Sequence, residues 1–174
     1  MLRTALFVAA MVALSLAGPA LAQTVLGIEL GKPLNYPQCS LDPTAPPPNN
    51  QPCLQGISGF VLGKELPSYA NTLHPVVENG VVVSIEIITN GAAAEEAAYK
   101  GLLEKFGPPN KHHVTQMQNG FGAKFENIEA MWQKSTFTVM FEGIAGDSES
   151  GVIDIATPAY AKKLIDMSTN KTTL

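Results

Sequence analysis

The first 22 residues have the three-part pattern of a secretory signal peptide, and they decide where the folded domain begins. Arg3 supplies a positive charge, residues 5–17 form an apolar run, and Ala20-Leu21-Ala22 matches a cleavage site. The apolar run is shorter than the ~20 residues that a transmembrane helix needs. We therefore expect cleavage of residues 1–22, one domain over residues 23–168 and a flexible tail at residues 169–174.

The leader also predicts the compartment, because it directs export: the protein is expected to be periplasmic or secreted, and soluble after cleavage. Gln23 follows the cleavage site, so a lipid anchor on a first-position cysteine is not expected. The chain has 11 Lys and Arg against 15 Asp and Glu, a net charge of −4. Nucleic-acid partners require a basic surface, so we expect none. No later stretch is apolar enough for stable membrane insertion.

Cys39 and Cys53 are the only cysteines, and in an oxidising compartment they predict a disulfide bond. A redox or zinc site is the alternative, but the C-x-x-C spacing is absent and no third thiol exists. The bond would close a proline-rich loop over residues 39–53. That loop is either a pinned surface loop or a stiff recognition loop, which would lose little entropy on binding. Its candidate partner-binding residues are Pro46, Pro47 and Pro48.

Two segments carry the clearest signals of secondary structure. Asn79-Gly80 separates two β-branched runs, which predicts a hairpin over residues 75–88 with a type I′ turn. Residues 91–106 predict an amphipathic helix that Thr89 or Asn90 caps and Gly107 ends. Its apolar stripe consists of Tyr99, Leu102, Leu103 and Phe106.

The remaining pattern predicts strands and a second helix that begins after Thr157. The predicted strands cover residues 24–30, 57–62, 111–118, 124–133, 135–142 and 151–156. Strands that are adjacent in sequence tend to pair. We therefore predict an α+β fold: a single two-layer domain with a mainly antiparallel sheet and one or two helices packed on one face.

No catalytic, cofactor or metal motif meets the requirements of its chemistry. Gly146-Asp147-Ser148 resembles the serine hydrolase pattern but lacks the glycines that should follow the serine. Residues 56–60 resemble G-x-S-x-G, with the closing glycine one position early. His112 and His113 are adjacent on a predicted strand and therefore point to opposite faces. We predict no catalytic residues, no cofactor and no metal ligands.

Two aromatic residues are candidate anchors for a protein partner. Phe121 lies between two glycines in a predicted turn, where its ring is either exposed for binding or folded inward. Trp132 is the only tryptophan and lies on a predicted strand, where it is either a core residue or an interface residue.

These features together predict a small exported, non-enzymatic protein that binds another protein as an adaptor, an inhibitor or an assembly factor of the cell envelope. One alternative is a soluble carrier of a small apolar ligand, with the stripe of the 91–106 helix lining its pocket. The other is a hydrolase without a recognisable motif.

Overall fold

A computed structural model of the chain describes residues 23–40, 42, 48–55, 59–118 and 122–171. The expected signal peptide, Phe121, Pro46, Pro47 and most of the G-x-S-x-G-like segment lie outside the described residues. Within the described part of the chain, no helix is both long and apolar enough to cross a membrane.

Two small hairpins precede the main sheet. Strand β1 (Thr24–Val25) pairs with β2 (Ile28–Glu29), and β3 (Cys53–Gln55) pairs with β4 (Phe60–Leu62). The main sheet consists of β5 (Ala70–Glu78), β6 (Val81–Thr89), β7 (Lys111–Gln118), β8 (Lys124–Gln133), β9 (Thr138–Glu142) and β10 (Gly151–Ala156). The helices are α1 (Glu95–Phe106) and α2 (Pro158–Lys171). Helix α2 therefore includes residues 169–171 of the expected tail, and residues 172–174 lie outside the described part.

The predicted α+β class with a mainly antiparallel sheet is confirmed. The six strands are ordered β5-β6-β10-β9-β8-β7, and every neighbouring pair is antiparallel. Because side chains alternate along each strand, the sheet has two distinct faces. We call them the core face, which carries Ile85, Val139, Phe141 and Ile153, and the groove face, which carries Glu129, Met140, Glu142 and Asp154.

The two helices lie on opposite faces, which differs from the predicted two-layer arrangement. Helix α1 connects β6 to β7 across the core face, where Ala98 and Leu102 are buried. Helix α2 follows β10 directly, and its residues Leu164 and Ile165 border the groove face. Since α1 already covers the core face, the apolar side chains of α2 pack on the face that α1 leaves open.

The predicted turn of the β5–β6 hairpin is confirmed. Asn79 and Gly80 have φ angles of 51° and 79°, as a type I′ turn requires. Farther along the hairpin the register passes from Val76–Ser84 to Val77–Val82, so Val83 is an extra residue in a β-bulge. The bulge changes the alternation, and Val82 is buried with the core residues.

The end of α1 matches the prediction, but its start does not. Gly107 has a φ of 76°, and its N–H donates to the carbonyl oxygen of Leu103. At the other end a short 3₁₀ turn precedes α1, and Ala94 occupies the N-cap without a side-chain bond. The prediction that Thr89 or Asn90 caps this helix is therefore wrong: Thr89 is buried beside Gly151, and Asn90 makes no capping bond.

Trp132 is a core residue, so its prediction as a partner-binding residue is wrong. Its side chain is fully buried on the core face between α1 and the sheet. The ring lies 6.2 Å from that of Tyr99 and 6.4 Å from that of Phe106, centroid to centroid. The indole Nε1–H donates to the carbonyl oxygen of Gly107 at 2.7 Å, which ties β8 to the end of α1. A residue held in this way has no surface for a partner.

We expect Trp132→Phe to destabilise the fold by about 1–3 kcal/mol, because the partly buried Gly107 carbonyl loses its donor while the ring packing is partly kept. Urea unfolding measures the difference. Tyr99→Phe is the matched control, since it keeps the ring beside Trp132. An equal loss in both variants would contradict a specific role for the indole bond.

The predicted disulfide between Cys39 and Cys53 is confirmed. Leu54 N–H donates to the Pro37 carbonyl oxygen and Cys39 N–H to that of Leu54, so backbone bonds hold the base of the loop as well. Cys53 is 1% exposed, which indicates that the bond is also packed on one side.

We expect the double variant Cys39→Ala/Cys53→Ala to lose about 3 kcal/mol of stability, because a loop of about 15 residues is no longer closed in the unfolded chain. Chemical denaturation with and without a thiol reductant tests this. The reductant should destabilise the natural protein by a similar amount and leave the variant unchanged. No difference between the two proteins under oxidising conditions would contradict the expectation.

Candidate functional site

An open groove of about 690 Å³ lies between α2 and the groove face of the sheet. Its volume is within the range of small-molecule sites. The floor is apolar, with Met131 directly opposite Met140 and Val152 diagonal to Met140, and Leu164 and Ile165 of α2 form one wall. The polar side chains that border it are Lys111, His113, Glu129, Glu142, Asp154 and Ser168.

The sheet register places the carboxylates of this groove face in two cross-strand pairs. Glu129 on β8 lies directly opposite Glu142 on β9, and Asp154 on β10 lies directly opposite Glu86 on β6. Like charges in such positions destabilise an antiparallel sheet. Two such unfavourable pairs on one face are not expected where the residues serve stability alone.

The local environment makes two of these carboxylates harder to ionise. Burial raises the pKa of Asp154 to about 6, and the negative charge of Glu86 acts in the same direction. The Ser84 hydroxyl, which donates to Asp154 Oδ1 at 3.3 Å, lowers that pKa by a smaller amount. Desolvation and the charge of Glu129 raise the pKa of Glu142.

The ion pairs of the described residues leave three carboxylates of the groove face without a partner. Glu86 has His74 at 3.9 Å, and Glu78 has Lys163 at 2.6 Å. The third ion pair lies within α2, between Lys162 and Asp166. None of these pairs includes Glu129, Glu142 or Asp154. Carboxylates therefore lie on β8, β9 and β10 of the groove face, while Lys111 and His113 lie on β7 at its outer end, with His113 directly opposite Glu129.

Strand β7 forms the outer edge of the sheet next to this groove. It pairs with β8 on one side, and on the other side no described strand pairs with it. Most of its side chains are exposed, including Val114 at 43%. His112 stacks on Tyr99 with 5.3 Å between ring centroids, which anchors one end of the strand to α1. The edge is thus both exposed and held in place.

The other predicted site residues lie elsewhere. Pro48 begins a short 3₁₀ turn in the disulfide loop and is half-buried, away from the groove lining. The stripe of α1 packs against the core face, where Tyr99 and Phe106 contact aromatic side chains, so it fills the core instead of lining a pocket. Gly146-Asp147-Ser148 belongs to a polar turn, in which Asp147 accepts the N–H of Glu149.

In the part of the chain that the structure describes, no group of three histidine, cysteine or acidic side chains lies close enough together to hold a metal ion. No protein-family model, curated protein or solved structure matches this chain.

The groove is not predictable from local sequence patterns because its residues are far apart in the chain. Glu129, Glu142 and Asp154 lie on three strands, and each looks like an ordinary exposed position in its own strand. The predicted hairpin of β8 and β9 is the one sequence feature that points to the carboxylate pair. Its register, once specified, places Glu129 opposite Glu142.

We expect Asp154→Asn to stabilise the protein at pH 7 by as much as about 3 kcal/mol. This value follows from the difference between the pKa of Asp154 in the folded protein, about 6, and its ordinary value of 3.8. A carboxyl group whose pKa is raised on folding favours the folded state when protonated. The natural protein therefore loses this contribution as the pH rises from about 4 to about 6. The advantage of the variant should disappear near pH 4.

Urea unfolding of both proteins at pH 7 and pH 4 measures this difference. Asp166→Asn serves as the control, because Asp166 is exposed on α2 and its ion pair with Lys162 contributes under about 1 kcal/mol. An Asp154→Asn variant that is less stable at pH 7 would contradict the expected cost of ionisation.

Proposed function

We propose that this protein is exported and acts without catalysis, by binding a protein partner as an adaptor, an inhibitor or an assembly factor of the cell envelope. The observation that carries the proposal is the exposed outer edge of β7, an eight-residue strand. An extended segment of a partner can add to such an edge through main-chain hydrogen bonds.

The two edges of the sheet support this choice of surface. At the other edge, β4 packs near β5, and the rings of Phe60 and His74 are 5.5 Å apart. Natural sheets protect free edges with proline, charged residues or covering loops. Strand β7 contains no proline, and after Lys111 it contains no acidic or lysine side chain. It is therefore the less protected edge.

Export is supported by two independent features. The first is the leader pattern of residues 1–22, and the second is the disulfide between Cys39 and Cys53. Disulfide bonds persist in oxidising compartments such as the periplasm and the extracellular space. Processing of the leader and the oxidised state of the cysteines are measurable in the protein isolated from its host.

The groove favours ligand carriage as a second candidate function. Its volume and its methionine floor fit a small ligand, but its position differs from the one expected, since it lies under α2 and not under α1. Its carboxylates do not suit a purely apolar ligand.

A photo-crosslinking residue at Val114 should capture a protein partner in the native host, because Val114 lies on the outer edge strand. Val77 is the matched control: it is the same residue type on β5, with 45% exposure against 43% for Val114. Mass spectrometry of the adducts identifies the captured protein. Equal adducts at both positions, or none at Val114, would overturn the role of β7.

A further inference from the structure

We propose that the groove binds a linear organic cation, with an alkyl chain on the methionine floor and an ammonium group between Glu142 and Asp154. The groove reaches Lys111 and His113 of β7, but the ligand would contact side chains of the groove face and not the free backbone edge of that strand. The proposal therefore goes beyond the proposed function and does not depend on it.

The register of the sheet gives the groove a direction. In one row across the groove face, Asp154 is followed by Met140, Met131 and Lys111, on β10, β9, β8 and β7. Three strand spacings of about 4.8 Å make this row about 14 Å long. It has a carboxylate at its inner end, two thioether side chains in the middle and a lysine at its outer end. A ligand with one positive end and an apolar body matches this order.

Charge complementarity identifies the polar group of the ligand. Glu142 and Asp154 are diagonal neighbours on adjacent strands, within reach of one ammonium group. Glu129 adds a third carboxylate directly opposite Glu142. Within the described residues none of the three has an ion-pair partner. These carboxylates would repel an anionic ligand. Lys111 would repel the second charge of a dication.

The apolar lining identifies the remainder of the ligand. Met131 and Met140 are only half-buried, and Leu164 and Ile165 of α2 face the same space. Methionine side chains adapt to flexible alkyl chains because they are unbranched and polarisable. A small hydrated cation would leave this surface uncovered, whereas an alkyl chain would remove it from water.

The test is titration calorimetry of the natural protein at pH 7.5 with three probes of equal chain length: n-octylammonium, n-octanol and octanoate. We expect octylammonium to bind at least about tenfold more tightly than either of the other two. Propylammonium, with the same head group and a shorter chain, should also bind at least about tenfold more weakly. Equal binding of octylammonium and octanol would overturn the role of the carboxylates. Equal binding of octylammonium and propylammonium would overturn the role of the floor.

Variants then locate the binding site. The double variant Glu142→Gln/Asp154→Asn should lose at least about tenfold in octylammonium affinity, and Asp166→Asn, on the exposed side of α2, should lose none. Circular dichroism confirms that each variant is folded. Equal affinity in all three proteins would overturn the proposal.

The crosslinking experiment separates this proposal from the proposed function. Adducts at Val114 should be the same in the double variant and in the natural protein, because the partner binds the outer edge and the cation binds the groove. If the double variant loses both octylammonium binding and the adduct, the groove is part of the partner surface and the separate cation site is overturned.

Discussion

The antiparallel register of the six-stranded sheet is the constraint on which the rest of the structure depends. Ile153 lies between Ile87 and Phe141 on the core face, and the next residue, Asp154, lies between Glu86 and Met140 on the other. A slip of one residue on any strand would exchange these two faces. The same register that builds the core therefore also assembles the carboxylates and the methionine floor.

The two faces differ because the two helices are attached differently. Helix α1 is held at both ends by strands and by the bond from Trp132 to Gly107, so it closes the core face firmly. Helix α2 follows β10, lies against β6 and β10, and is fixed near its start by the pair of Lys163 with Glu78. The sheet beyond β10 is left open beneath it. An ionised Asp154 in that space opposes folding, which is typical of a residue kept for function instead of stability.

Structural features that depend on neighbouring residues could be predicted from the sequence, whereas features that depend on residues far apart in the chain could not. The Asn79-Gly80 turn, the end of α1 at Gly107 and the disulfide each depend on a few neighbouring residues and a known compartment chemistry. The start of α1 could not be predicted, because the N–H of Ala92 bonds to Ser148, far along the chain. The groove could not be predicted either, since it requires the pairing of β10 with both β6 and β9 and the choice of face by α2.

The β-bulge at Val83 connects the length of the β5–β6 hairpin to the position of α2. The Val83 carbonyl accepts the N–H of Thr157, the residue immediately before α2. The start of the helix is thus hydrogen-bonded to the single extra residue of the β5–β6 hairpin. We expect gain or loss of one residue there to shift the start of α2 relative to the sheet, because this bond joins the two. Variation in hairpin length is therefore a way to reshape the groove without substituting any residue that lines it.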